Sequence, residues 1–390
     1  MTIQKIIREV KRAVFIPIAF VISLIVIVLR PLFFIRFAEF RSERIAHFTL
    51  EPEMYLCMLD LSKNKKQSLD IFYYNRNMVC NTQLLKMWES HFHTITWHVL
   101  FCYVKSCLLS LPFGSNHVIR FLHHSNYQKL VSQNSPHISF SPLEETLGQS
   151  ILNEQKINGD YVCLHARDSF YLNQTMPEQN WTGHDYRDVK IENYLFALDQ
   201  LTQRDLTCLR MAAVIEKPLL TQNQKIIDYA YQFRSDFMDI YLCSHCKFAI
   251  MYSGGLYGIP MIFKRPMVGV NLIPLHSYIY FGGGDVFIPK LLRKRSTNKI
   301  MSFRESISLI GKDITQLIKE NSIELIENTP EDIAEVVVEM NDRLNGVWKE
   351  SQEAIELQKS FWAIVETSKF KRTSGVKIGA EFLKKYKNLL

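Results

Sequence analysis

What the 390 residues lack narrows the field before any motif is read. There is no internal repeat and no low-complexity run, which leaves a packed globular chain. Charged side chains are only 22% of the total against 47% hydrophobic ones, a globular rather than a disordered balance. The formal net charge of +7 is modest and no nucleic-acid recognition motif accompanies it, so no nucleic-acid partner is expected. Eight cysteines, at positions 57, 80, 102, 107, 163, 208, 243 and 246, follow no disulfide spacing, which argues for a reducing compartment. Cys243-Ser-His-Cys246 is a lone CxxC without the two further ligands zinc needs nearby. No DxD-like pair stands at a strand end either, so no metal site is expected. No small-residue cleavage site follows the amino-terminal apolar run, which disfavours a removable signal peptide.

What is present begins with that run. Ala13 to Leu29 carries no charge, and as a helix it would reach about 25 Å, just short of a hydrocarbon core of about 30 Å. Lys5, Arg8, Lys11 and Arg12 precede it; Arg30, Arg36, Arg41 and Arg44 follow. A second basic group, Lys369, Lys371, Arg372, Lys377, Lys384, Lys385 and Lys387, closes the chain. Near an anionic membrane each such charge contributes roughly 1 kcal/mol of attraction. Positive charge on both flanks leaves the orientation open. The reading adopted is a Pro-bent monotopic anchor, with a short spanning helix as the alternative.

Beyond the anchor, strand-like and helix-like runs alternate, which predicts an α/β fold with parallel sheets. Strands are predicted at 68–74, 161–164, 206–211, 247–252, 261–263 and 267–271. Helices are predicted over the Thr82 run, from Ser141-Pro142-Leu143-Glu144 to Asn158-Gly159, 191–203, and largely throughout 330–365 after Thr329-Pro330, while 97–111 is an apolar stretch broken by Pro112-Phe113-Gly114. The polar stretch 125–142, with two prolines, marks a boundary. The expected organisation is a membrane anchor over 1–36, a Rossmann-like domain over 37–140, a nucleotide-binding domain over 141–365 and a basic tail over 366–390.

Three clusters can carry chemistry. Val162-Cys163-Leu164-His165-Ala166-Arg167-Asp168 is a buried strand that presents His, Arg and Asp at its carboxyl end, the edge where open α/β sheets bind ligands. Arg167 suits a phosphate because its planar fork donates two parallel hydrogen bonds; a strand-end ion pair with Asp168 is the plainer reading. Ser253-Gly254-Gly255 follows another strand and would let backbone approach a phosphate. Asp185-Tyr186-Arg187-Asp188 precedes a helix and reads either as site residues or as its acidic start. Gly282-Gly283-Gly284-Asp285 is a loop over a ligand or an ordinary turn.

The pieces CLHARDSFYL, DYRDVKIENYLFAL, LTCLRMAA and CKFAIMYSGGLYGIPMIFKRPMVGVNLIPL, in that order, resemble a family of bacterial glycosyltransferases related to the fucosyltransferase-like branch of the GT-B fold. RSERIAH and LEPE, near the amino terminus, resemble the family's first strand–loop–helix, so the similarity spans roughly 36–300. The resemblance implies two Rossmann-like domains facing a cleft, and inverting, metal-independent transfer from a nucleotide-sugar donor to a glycan or glycolipid acceptor. The implied setting is polysaccharide biosynthesis at the cytoplasmic face of the inner membrane. It places His165 and Arg167 on the donor's β-phosphate and Ser253, Gly254 and Gly255 on the donor phosphates. Arg210 is a further cation for the leaving group. His47, Glu51, Asp168 and Asp185 are candidates for the general base. No separate cofactor is implied; the donor, GDP-linked by analogy with the branch, is a substrate. Ala46 and Ala212 stand where the family pattern has glycine. Two alternatives stay open: a lumenal type II enzyme, for which Asn173 and Asn180 are glycosylation sequons, and a non-catalytic polysaccharide-binding or scaffold protein that kept the fold.

Overall fold

Local capping chemistry sets where several elements begin. Ser141 accepts from the Glu144 amide while Glu144 reaches back to the Ser141 amide, and Pro142 fills the first turn. Thr329 and Asp332 make the same reciprocal pair ahead of Pro330. In this computed structural model the chain is described over residues 3–61, 68–121, 134–251, 254–273, 282–309, 312–368 and 375–390, with backbone alone for 3–8. It divides into two compact units, Met1–Ser139 and Phe140–Leu390.

The first unit opens with helix α1 (Ile3–Val28), which runs through Pro17. Its Glu9–Val28 stretch is long and apolar enough to cross a membrane. Strands β1 (Phe34–Glu39), β2 (Ser68–Tyr73) and β3 (His93–Ile95) form a parallel sheet in the order β1-β2-β3. Phe37 bridges in parallel to Val118 on the free side of β1. Helices α2 (Ile45–Leu61), α3 (Thr82–Glu89) and α4 (His98–Ser110) lie between successive sheet segments. Because β1 starts at Phe34, the anchor ends before 36. Arg36, read as a lipid-facing charge, is instead tied to Asp70 by two bonds of 2.7 Å.

One stripe of α1, Ala19, Ser23 and Val26, is buried; Ala19 and Val26 join a core with Leu100, Val104 and Leu108 of α4. The spacing of three and four residues puts that stripe on one helix face. Elsewhere on α1, Val14, Ile18, Val21, Leu24, Ile25 and Val28 remain exposed. Helix α2 carries Pro52 in its interior, which removes the amide that would bond the carbonyl four residues back. That carbonyl belongs to Phe48, and the Trp88 indole nitrogen donates to it at 2.8 Å. A missing helix bond is thus replaced by a tertiary one.

The second unit starts with α5 (Pro142–Glu154). Its sheet is built from β4 (Tyr161–His165), β5 (Thr207–Arg210), β6 (Ile226–Ile227), β7 (Phe248–Met251), β8 (Met267–Leu272), β9 (Val286–Pro289) and a late strand, Lys377–Ile378. All its pairings are parallel, and the strands lie in the order β6-β5-β4-β7-β8-β9 with Lys377–Ile378 last. Such a sheet is buried on both faces, which explains its continuous apolar strands. Helices α6 (Leu195–Thr202), α7 (Asp236–His245), α8 (Pro330–Leu344) and α9 (Gln352–Glu366) belong to the same unit, as does a small antiparallel sheet of Leu291–Lys294, Lys299–Ile300 and Ile323–Ile326.

Several expectations change. Met261 to Phe263, read as a strand, belongs to the helical turn Gly258–Ile262 and its cap, because so short an apolar run has no periodicity to separate helix from strand. Residues 191–194 form a tight 3₁₀ turn before α6 begins. The 330–365 run is two helices, broken around Gly346 at φ +71°. The basic tail is not a tail: Lys377–Ile378 is the seventh strand of the main sheet, so the domain extends past 365. Its lysines are paired internally, Lys385 with Asp332 at 2.6 Å, Lys384 with Glu381 and Lys387 with Glu353. Lys369, Lys371 and Arg372 lie outside the described residues.

Candidate functional site

The strand order of the second unit selects one place on its sheet. The chain builds outward from β4 to β5 and β6, then returns to the other side of β4 for β7, β8 and β9. In open parallel sheets the connections on the two sides of such a reversal diverge, and ligands bind there, which here means the carboxyl ends of β4 and β7. His165 ends β4, and Gly254 follows β7 by three residues. Ser253 lies outside the described residues.

His165 and Gly254 touch. A Cβ built on Gly254 would lie 2.2 Å from His165 Nε2 and 2.6 Å from Cδ2, so only glycine lets this turn approach the ring. His165 Nδ1 is 2.9 Å from the Met211 carbonyl, which can only accept, so Nδ1 carries the proton and Nε2 keeps its lone pair. Burial lowers the imidazole pKa below its ordinary value; the Met211 bond opposes this without reversing it. The ring is therefore neutral at pH 7 and links the ends of β4 and β5 to the turn after β7.

Arg167 is buried, and burial followed by the neighbouring Arg187 lowers its pKa to about 10. Its guanidinium donates to the His184 carbonyl at 3.1 Å and to the Asp188 carboxylate. One nitrogen of the fork read as a phosphate clamp, Nη1, thus takes both partners, and the carboxylate is that of Asp188 rather than Asp168. Arg210 is also committed: it donates to the Lys217 carbonyl at 2.8 Å and to buried Asp228 at 3.2 Å. Asp228 also receives the Leu219 amide at 2.7 Å, so Arg210 braces the loop after β5. Both arginines still act electrostatically on His165. Asp168 accepts from the Phe170 amide at 3.1 Å and shapes the turn after the strand. Asp185 is exposed, in the 3₁₀ turn Thr182–Arg187.

One residue escaped the sequence reading. Lys290, directly after β9, is 6% exposed and donates to the carbonyls of Tyr186 at 3.2 Å and Asp188 at 3.0 Å. Burial lowers its pKa, with Glu327 pulling it back. Arg167 and Lys290 therefore clamp the 184–188 segment from two separate strand ends. The signal available was a lysine closing the apolar run Val286-Phe287-Ile288-Pro289. The Gly282–Asp285 loop is an ordinary turn: Asp285 is buried and receives the Met267 amide at 2.8 Å and the Gly282 amide at 2.6 Å.

His47 and Glu51 belong to the first unit, one turn apart on α2. His47 Nδ1 lies 3.0 Å from Glu51 Oε1. Glu51 is 2% exposed and its other oxygen accepts from Arg41 Nε at 3.1 Å. A buried carboxylate on Nδ1 orients an imidazole. Comparison with protein-family models, with curated proteins and with solved structures returned no match.

Proposed function

We propose that the second unit binds a nucleoside diphosphate at the carboxyl ends of β4 and β7, as a Rossmann-like domain does. The observation that carries this is the contact between His165 and Gly254 at the reversal point of an all-parallel sheet. Glycine backbone, a neutral imidazole and two nearby arginines suit an anion that needs both close approach and positive charge.

Within that class, the reading favoured by the family resemblance is a fucosyltransferase-like glycosyltransferase. An acceptor oxygen attacks the anomeric carbon, the bond from that carbon to the β-phosphate oxygen breaks, and the nucleoside diphosphate leaves with the electron pair. A general base takes the acceptor proton, Asp168 and Asp185 being the candidates that this unit carries. Charge on the leaving group is met by Arg167 and by backbone amides around Gly254 and Gly255. For this Asp188 must yield Arg167 to the phosphate, an exchange of one anion for another.

Helix α1 gives the protein a membrane face. Its buried stripe packs on α4, which carries His98 and Lys105, so a helix standing upright across a bilayer would drag polar groups toward hydrocarbon. In-plane attachment through the exposed apolar face avoids that cost. A nucleotide-sugar donor then puts the working side in the cytoplasm.

Radiolabelled sugar transfer from a panel of GDP-, UDP-, CMP- and dTDP-sugars, with thermal shift on the same panel, tests the proposal. One donor should stabilise the fold by mass action and be consumed. Arg167→Ala should abolish both effects. The Arg167–Asp188 ion pair itself favours a second reading, a scaffold that kept the fold and binds glycan without turnover; stabilisation by polysaccharide with no response to any nucleotide would select it.

A further inference from the structure

The first unit holds a group of side chains that the transfer reaction does not use. Glu39 ends β1, Tyr73 ends β2, and His98 opens α4 directly after β3, so all three sit at the carboxyl edge of one parallel sheet. Cys102 stands one helical turn beyond His98, on the same face of α4. His98 Nε2 is 2.9 Å from Glu39 Oε1 and 3.6 Å from Cys102 Sγ. The three donor atoms all lie within 4.8 Å of one another. Ligands at about 2.0–2.3 Å from one tetrahedral ion lie about 3.3–3.8 Å apart, so His98 and Cys102 are already at that spacing and His98 and Glu39 need to part by about 0.5 Å.

An independent observation comes from Tyr73. It is 0% exposed, and its hydroxyl has no hydrogen-bond partner among the described residues. Leaving a buried hydroxyl unpaired costs about 1–3 kcal/mol, so a missing partner is implied. The ring centroid is 5.9 Å from that of His98, and Glu39 and Cys102 act electrostatically on the phenol. The orphan hydroxyl therefore belongs to the same group.

We propose that Glu39, His98 and Cys102 bind a thiophilic divalent cation of the zinc type, with a fourth position open to a water that pairs with Tyr73. A thiolate beside an imidazole selects zinc over magnesium or calcium, which prefer six or more oxygens. Lys105 Nζ is 3.1 Å from the other Glu39 oxygen and orients the carboxylate from behind. Glu53, Cys57 and His137 form a second such cluster, but His137 is already shared between Glu53 and Asp60, at 3.0 and 2.9 Å.

The test is cobalt titration of the chelator-stripped full-length protein in detergent. The expected result is one equivalent of Co²⁺ with a thiolate charge-transfer band and tetrahedral d–d bands, displaced by Zn²⁺. Cys102→Ser should erase the charge-transfer band and Cys57→Ser should leave it. His98→Gln, which keeps the polarity of the site, should weaken binding at least tenfold and serves if Cys102→Ser does not fold. No charge-transfer band in the parent protein, a band lost with Cys57 rather than Cys102, or unchanged affinity in His98→Gln would overturn the site.

Discussion

Replacing Gly254 with alanine isolates the contact on which the proposed phosphate site rests. Gly254 has φ −105° and ψ 166°, extended backbone open to any residue, so the methyl costs nothing conformationally. Its cost is steric. Comfortable non-bonded separation is about 3.5 Å or more, and the new Cβ would stand 2.2 Å from His165 Nε2, so ring and turn must part by about 1 Å. The ring is not free to yield, because its other nitrogen is bonded to Met211 at 2.9 Å. Breaking that bond costs about 0.5–1.5 kcal/mol, and an off-rotamer ring about as much again. Gly254→Ala should therefore destabilise the second unit by about 1–3 kcal/mol, the usual range for overpacking. At about 2–4 °C per kcal/mol for a domain of this size, the melting point falls by several degrees. The decisive assay is a double-mutant cycle followed by urea denaturation. In a His165→Ala background the same methyl meets no other atom nearer than 3.5 Å, so Gly254→Ala should become nearly neutral and the coupling should be about 1–2 kcal/mol. Additive costs would mean that the ring and the turn do not meet, and the proposed phosphate site would fall with the contact.

A further outcome follows from the first unit. His137 tests a pH dependence. Burial lowers its pKa, but the bonds to Glu53 and Asp60 outweigh burial and leave it above the ordinary 6.5. A base raised in this way stabilises fully below its unfolded pKa and loses that contribution as pH climbs through the folded value. His137→Gln should therefore lower the urea midpoint more at pH 5.5 than at pH 9, and an equal loss at both would refute the linkage.

Much of the local structure was legible in residue order because its causes are local. Ser141-Pro142-Leu143-Glu144 and Thr329-Pro330-Glu331-Asp332 carry complete capping chemistry within four residues. Apolar runs such as Tyr161–Leu164 announce buried strands by composition alone. Tertiary structure decided the rest, because those facts join residues far apart in the chain. Only the strand order puts the end of β4 beside the turn after β7, across more than eighty residues. Only folding showed that Arg167 takes Asp188, that Lys290 reaches back to the same segment, and that Lys377 joins the main sheet while Lys384, Lys385 and Lys387 pair with Glu381, Asp332 and Glu353. Residue types state what a side chain can bind, whereas burial removes water as a competitor and leaves the nearest correctly oriented group as its partner.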